Sequence, residues 1–275
     1  MSNKYTTIKY LFAEDSKDNS FIHLDKSFAA YKKIMNLVEK PVKLILFYGN
    51  PGCGKTFLLK KIVEDLKNRD DIIFFSHPFF NEDEFMTSLY QEIFKEKPQE
   101  KIQNYEEFTR IYKSKLSKED EENKKVFTVL LDEAQLYPEI LIEKLRLLSD
   151  SGFFKFLFAI RKTDEEHVLT KDYFKARIWE SIEMSPLDVN EMRVYMESKL
   201  QSKKFDYQFL KFTDEQLELI NNLSRGSLTM LNKLMFNFFE LYEYFEDNQP
   251  TIISTDTMST KILEMAAIRS ELINA

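Results

Sequence analysis

The sequence predicts an α/β fold: a three-layer αβα domain on a five-stranded parallel sheet, followed by a small all-α domain. Three observations predict it. Short runs of branched and aromatic residues alternate with amphipathic stretches of helical spacing, the pattern of strands joined by helical crossovers. Strand signals cease before Pro186, and beyond it apolar residues recur only at intervals of three and four. Three of the chain's five glycines, Gly49, Gly52 and Gly54, fall within six residues directly after the first apolar run. A chain so sparing with glycine concentrates it where backbone must bend or approach a ligand closely.

Residues 1–20 are polar and mixed in charge and read as a loosely held lead-in. From Leu24 to Glu39, Phe28, Tyr31, Ile34, Met35 and Val38 recur at helical spacing, and Val42 to Tyr48 reads as a buried strand that runs straight into Gly49. Lys55 to Leu66 is helical, with Leu58, Leu59, Ile62, Val63 and Leu66 on one face, and Asp71 to Ser76 is a second strand. Asn81 with Glu84 three residues later resembles a capping box that opens a helix to Phe94. A further helix covers Tyr105 to Leu116, and the charged run Ser117 to Lys125 reads as a solvated loop. Val126 to Leu131 is the third strand and ends at Asp132, and a helix spans Glu139 to Leu148. Phe153 to Ile160 is the fourth strand and Trp179 to Glu183 the short fifth. Three or four amphipathic helices then run to Ala275, one of them holding Leu228, Leu231, Leu234, Met235, Phe238, Leu241 and Phe245 on one face for five turns. The domains are thus 21–185 for the α/β part and 186–275 for the helical part, after the 1–20 lead-in.

Composition narrows the function. The chain has 275 residues, 43% hydrophobic and 14% aromatic, enough for a sizeable core and far from the signature of disorder. One cysteine, Cys53, cannot close an internal disulfide, and the histidines His23, His77 and His167 show no ligand spacing with it, so a His/Cys metal site is not expected. The N-terminus lacks an apolar signal region, and runs such as Phe156 to Ile160 are far shorter than the ~20 residues of a membrane span. The expectation is a cytoplasmic protein without a membrane span. A net charge of −7 argues against a broad basic surface for nucleic acid, though not against a local patch.

Gly49-Asn50-Pro51-Gly52-Cys53-Gly54-Lys55-Thr56 fits the phosphate-binding pattern G-x-x-x-x-G-K-[ST] in full, with a strand before it and a helix after it. Successive backbone N–H groups must curl around the β- and γ-phosphates, and a Cβ at the glycine positions obstructs that curl. The following helix points its N-terminal N–H groups at the anion, Lys55 reaches the β/γ oxygens, and Thr56 offers its hydroxyl to Mg2+. Cys53 reads as an incidental loop residue. The other half of the site is Leu131-Asp132-Glu133-Ala134-Gln135. A carboxylate at the end of a buried strand needs a cationic partner, which makes Asp132 the Mg2+ ligand, and Glu133 is placed to polarise a water for attack on the γ-phosphate. The alternative for this pair is a charge that favours the next helix's dipole. One strand, 71–76, lies between the loop strand and the strand ending at Asp132, and that order, with Glu beside Asp, favours the additional-strand NTPases that hydrolyse ATP.

With these residues the chain resembles an AAA+ P-loop ATPase, and specifically the ExeA/MshM/TniB-type branch, over residues 20–270. Leu130-Leu131-Asp132-Glu133-Ala134-Gln135 followed by Ile142 to Ser149 is similar to that branch's "DEAQ … LE-x-LR-x-LSN" signature, and Leu24 to Phe28 stands where it has a short helix. Phe174 to Ile178, Met184 to Leu187 and Glu191 to Leu200 resemble its passage into the AAA+ lid. The resemblance implies that ATP is the nucleotide, that Arg177 is an arginine finger completing a neighbour's site in a homo-oligomer, and that Gln135 senses the γ-phosphate or orients the lid. Two positions depart from the branch. Ile160 stands at the place of the polar sensor after the fourth strand, with Arg161 beside it, and Thr229 stands where the lid turn carries a sensor arginine, with Arg225 adjacent. Slow, switch-like hydrolysis is the expectation.

The resemblance implies an assembly or regulatory ATPase for a trans-envelope secretion, pilus or DNA-uptake machine, peripheral to the inner membrane through a protein partner. The alternative is a nucleotide-switched DNA-associated ATPase of the transposition or replication-initiator kind. Against the latter stand the missing winged helix and the charge of residues 186–275, nine basic minus fourteen acidic residues, or −5. A small-molecule kinase is disfavoured by the Asp132–Glu133 pair and the all-helical second domain.

Overall fold

The computed structural model describes residues 4–13, 21–116, 125–162, 172–205, 212–252 and 257–274. In chain order its elements begin with α1 (Lys4–Lys9), α2 (Asp25–Glu39), β1 (Leu44–Gly49), α3 (Lys55–Asp65), β2 (Ile72–Phe75), α4 (Glu82–Phe94) and α5 (Tyr105–Lys115). They continue with β3 (Phe127–Leu131), α6 (Glu139–Asp150), β4 (Phe154–Arg161), α7 (Asp172–Lys175) and β5 (Glu180–Met184). The last four are α8 (Val189–Gln201), α9 (Asp214–Ser224), α10 (Leu228–Asn248) and α11 (Thr260–Arg269). By compactness the chain divides into one unit of Ala29–Gly49 with Lys55–Met184, and another of Met1–Phe28, Asn50–Gly54 and Ser185–Ala275.

The first unit holds a five-stranded sheet in the order β2-β3-β4-β1-β5, with every neighbouring pair parallel. Parallel strands are covered on both faces, which is why β1 and β3 read as near-continuous apolar runs with almost no polar alternation. Strand β2 lies between β1 and β3 in sequence, but in the sheet that place belongs to β4. The sheet thus has the inserted strand of the additional-strand NTPases, supplied by residues 154–161 and not by 71–76. On one face of β4, Phe154, Phe156 and Phe158 stack at 6.3 and 6.1 Å, because residues two apart share a face of a strand. Phe108 of α5 packs on Phe154 at 6.0 Å. The opposite face carries Lys155, buried among apolar residues. Its ammonium donates to the carbonyls of Leu37 (3.0 Å) and Val38 (2.6 Å), two of the groups that the last turn of α2 leaves without intrahelical partners. Burial pushes the Lys155 pKa down.

At α4 the capping box suggested by Asn81 and Glu84 does not form. Asn81 is the N-cap in an extended conformation, yet its side chain makes no capping bond, and the Glu84 N–H is instead satisfied by Asp83 Oδ1 at 2.9 Å. Three carboxylates in the first turn, Glu82, Asp83 and Glu84, favour that helix end electrostatically. The expected solvated loop of Ser117–Lys125 lies, apart from Lys125, outside the described residues, as does His167.

In the second unit the polar lead-in of 1–20 proves to contain a packed helix. Tyr5, Ile8, Leu11 and Phe12 are buried in the same core as Phe238, Phe239 and Tyr242 of α10, with Tyr5 against Tyr242 at 5.2 Å and Phe12 against Phe239 at 5.8 Å. Thr6 and Lys9 both bond to Glu243. Six helical residues cannot hold a helix in isolation, so this one exists because α10 offers it an apolar face. Residues 1–3 and 14–20 of the lead-in lie outside the described residues. Helices α8 and α9 open with complete capping boxes, Asp188 with Glu191 and Thr213 with Gln216. Lys26 ties the start of α2 to this unit through Asp188 and Glu191, each at 3.0 Å.

Candidate functional site

Strand β1 delivers its last residue, Gly49, in register with Arg161 of β4 and Met184 of β5. The chain then loops through residues 50–54 and re-enters a helix at Lys55. Gly52 and Gly54 take φ of 74° and 97°, conformations that a Cβ penalises. The loop closes on itself through Cys53 N–H donating to the Asn50 carbonyl at 3.3 Å. Lys55, 7% exposed, curls back so that its ammonium donates to the Gly49 carbonyl at 2.9 Å. An ammonium folded back over a turn at the start of a helix is an arrangement able to receive an anion. Thr56 follows in the first turn of α3, half-buried.

Within the unit that contains residues 50–54, the turn Gly226–Thr229 touches the loop. Thr229 N–H approaches the Gly52 carbonyl at 3.4 Å, and the Ser227 hydroxyl approaches the Pro51 carbonyl at 3.4 Å. A Cβ on Gly52 would stand 2.9 Å from Thr229 Oγ1, so side chains as well as φ require glycine there. Ser227 was not foreseen as part of the site. Its only signal in sequence is its place between Gly226 and the departing residue Thr229.

Strand β3 ends in Asp132, 2% exposed, whose N–H donates to the Phe75 carbonyl at 3.0 Å. Its Oδ1 accepts the Glu133 N–H at 2.9 Å. Near it, burial and then the Asp132 charge raise the Tyr137 pKa, which keeps that phenol neutral. Glu133 sits in the left-handed region at φ 50°, ψ 38°. Its Oε2 accepts from Arg161 Nε at 2.9 Å and from the Gln135 amide. Gln135 in turn accepts the Arg161 N–H through Oε1 at 3.1 Å. Gln135 is therefore engaged at the end of β4 and Arg161 belongs with it, while Ile160 is buried in the core.

Arg177 is half-exposed and stands 4.0 Å from Asp150. It precedes β5 at the sheet end where β1 begins, since Trp179 N–H donates to the Leu44 carbonyl. The phosphate loop leaves from the other end of β1, roughly 17 Å away at strand rise. Arg177 is thus not brought to the loop of its own chain. Among the described residues no cluster of His, Cys, Asp and Glu forms a self-contained metal cage, and no helix is long and apolar enough to cross a membrane.

Residues 39–169 match the family model described as AAA domain. No curated protein matches the chain. Among solved structures, the Drosophila ORC bound to DNA superposes with a TM-score of 0.64 at 10% identity, covering 99% of this chain and 67% of that one. The Aeropyrum pernix ORC1 protein in complex with DNA gives 0.58 at 13% identity, covering 96% and 69%. Cdc6p from Pyrobaculum aerophilum gives 0.63 at 12% identity, covering 96% and 71%. Residues 39–169 are thus similar to an AAA domain, and the chain has the AAA+ P-loop NTPase fold.

Proposed function

We propose that the protein is an ATP-binding, Mg2+-dependent ATPase of the AAA+ type, acting as a nucleotide-driven assembly or regulatory factor. The observation that carries this reading is the Gly49–Thr56 loop, with glycines at positive φ and the Lys55 ammonium on the Gly49 carbonyl, together with a buried Asp132 at the end of β3. Gly49, Asn50, Pro51, Gly52, Cys53 and Gly54 wrap the phosphates, and Lys55 neutralises the β and γ oxygens. The donor set fits Mg2+: the Thr56 hydroxyl and the Asp132 carboxylate are hard oxygens, and a magnesium site needs only one or two protein ligands beside substrate phosphates and water. When bound, that ion supplies electrostatic stabilisation of the charge developing on the transferring phosphoryl group. Glu133 accepts the proton of the attacking water as its oxygen bonds to the γ-phosphorus. The bond from that phosphorus to the bridging oxygen breaks, and ADP and phosphate leave. Gln135 orients Glu133. Arg177, remote from the loop of its own chain, serves a neighbouring copy in a homo-oligomer.

Lys55→Ala tests the reading. Calorimetric ATP binding should fall by a hundredfold or more in the variant, and unchanged affinity would remove the phosphate site; Glu133→Gln should still bind ATP while turning it over far more slowly.

Two roles follow for such an ATPase. The motif resemblance to the ExeA/MshM/TniB-type branch supports a cytoplasmic factor for a trans-envelope secretion, pilus or DNA-uptake machine. The similarity in fold to ORC and Cdc6 proteins, two of them described as bound to DNA or in complex with it, supports instead a DNA-associated ATPase of the initiator kind. Affinity capture from the native cell with Glu133→Gln held in ATP decides between them, by recovering envelope components or nucleic acid.

A further inference from the structure

We propose that the face of α8 and α10 beneath residues 4–12 is a binding site for a short basic amphipathic helix, and that filling it raises the nucleotide affinity of the phosphate loop through α10. The occupant is this chain's own N-terminal segment, held as a tethered ligand. The inference rests on the nucleotide-binding reading above and deepens it with a regulatory element.

The seat matches its occupant in three ways. Tyr5, Ile8, Leu11 and Phe12 sink into the apolar core of the helical unit. Three glutamates of α10 follow one another at intervals of three and receive the polar side. Lys9 reaches Glu240 at 3.7 Å and also Glu243, Thr6 bonds to Glu243, and Lys4 reaches Glu246 at 3.7 Å. From α8, the Lys199 ammonium donates to the Leu11 carbonyl at 3.0 Å, near the end of α1 where carbonyls lack intrahelical partners. An amphipathic helix laid in an apolar groove is a recurrent mode of recognition. One of six residues keeps its shape only while seated.

The same α10 bears on the phosphate loop. Leu228–Asn248 is one α-helix with neither glycine nor proline, so it shifts and turns as a unit. Phe236, against Tyr10 of the occupant at 6.2 Å, lies two turns, ~10 Å, from Thr229. At that near end Thr229 N–H donates to the Gly52 carbonyl and the Ser227 hydroxyl to the Pro51 carbonyl, each at 3.4 Å. Both are long for hydrogen bonds. A Cβ on Gly52 would stand only 2.4 Å from Ser227 Oγ. The turn thus has little room to advance, and a slight retreat loses both bonds.

Residues 4–12 hold α10 against that retreat. Fastened to α10 through the glutamates and to α8 through Lys199, they brace one helix on the other. A helix braced before nucleotide arrives leaves less backbone for the nucleotide to order. Occupant and nucleotide therefore favour each other, and by the same factor.

The test uses the full chain and ADP, read by calorimetry at a temperature where circular dichroism shows each variant folded. Ile8→Asp places a charge at a fully buried position and expels the segment. ADP affinity should fall about fivefold or more, from the lower end of measured couplings upward. A synthetic peptide of residues 1–13 should restore it with a saturable dose, whereas the same peptide carrying Ile8→Asp should not. Unchanged ADP affinity, or a loss that the peptide leaves unrepaired, would overturn the proposal. If Ile8→Asp fails to fold, Lys9→Glu takes its place: affinity should fall, and Glu243→Lys added to it should recover part of the loss. The proposal fails as well if that single variant binds like the native protein or the second change recovers nothing. Native protein that binds no ADP removes both readings, whereas ADP binding that depends on Lys55 and ignores residues 4–12 removes this one alone.

Discussion

Replacing Gly226 by alanine should destabilise the protein more than any glycine of an open turn. Gly226 has φ 66°, and a Cβ there would stand 2.5 Å from the Leu187 carbonyl oxygen, 2.8 Å from the Leu187 nitrogen and 2.7 Å from Pro186 Cβ. The neighbours are mainly backbone and cannot swing aside. The same backbone is stitched to the glycine by Leu187 N–H donating to the Gly226 carbonyl at 2.9 Å. Left-handed strain for alanine costs ~1–2 kcal/mol and the forced backbone shift ~1–3 kcal/mol, so the sum is about 2–5 kcal/mol. At about 2–4 °C per kcal/mol for a chain of this size, the thermal midpoint should drop by about 4–20 °C in a calorimetric scan. Gly152→Ala is the control, because it shares a positive φ of 79° but has nothing within 4 Å of the added carbon. Nucleotide affinity should fall with Gly226→Ala as well, since the turn carries Thr229 onto the Gly52 carbonyl. Equal midpoints for the two variants would refute the steric argument, and a drop without loss of affinity would refute the link from turn to loop.

Three further outcomes follow from particular residues. Arg177→Ala should depress ATPase activity only at concentrations where subunits associate, as followed by activity and sedimentation together; loss in a proven monomer would count against service to a neighbouring site. Phe12→Ala, which empties a fully buried position between α1 and α10, should cost about 3–5 kcal/mol in denaturant unfolding, and a cost under about 1 kcal/mol would return residues 4–12 to a loose lead-in. Burial pushes the Tyr195 phenol up to about 12 from 10.0. The unfolded chain therefore loses this proton first, and the contribution is whole below pH ~10 and lost as pH rises from there through ~12, by up to about 3 kcal/mol. Denaturant titrations across that window should show a shallower loss for Tyr195→Phe than for the native protein, and parallel curves would show that Tyr195 ionises equally in both states.

Local features of the chain were legible where the physics is local. The helical spacing of Leu58, Leu59 and Ile62 and the branched run of β1 are properties of neighbouring residues, and the elements formed within a few residues of the expected limits. The loop is local in the same way, and Gly52 and Gly54 take the positive φ that its glycine spacing anticipates. Asn81 misled because a capping pattern states which bonds are possible, while Asp83 competes for the same N–H from the adjacent residue. The lead-in misled for the opposite reason: Tyr5, Ile8 and Phe12 are too few to signal a helix, and their partners on α10 lie more than two hundred residues away.

The sequence by itself determined the layer architecture, and it marked the glycine-rich turn at 49–56 and the carboxylates Asp132 and Glu133 after β3, because each depends on residue type and short spacing. Only the tertiary structure decided that β4 is the strand inserted between the loop and that pair. From this one fact of strand order follows the partner of Glu133: Arg161, 28 residues distant along the chain, becomes its nearest cation. Strand order is set by which faces the helices cover and how the crossovers wind, a sum over the whole core that no window of sequence contains. The same sum places Thr229 against Gly52, where spacing alone had marked only an arginine's absence.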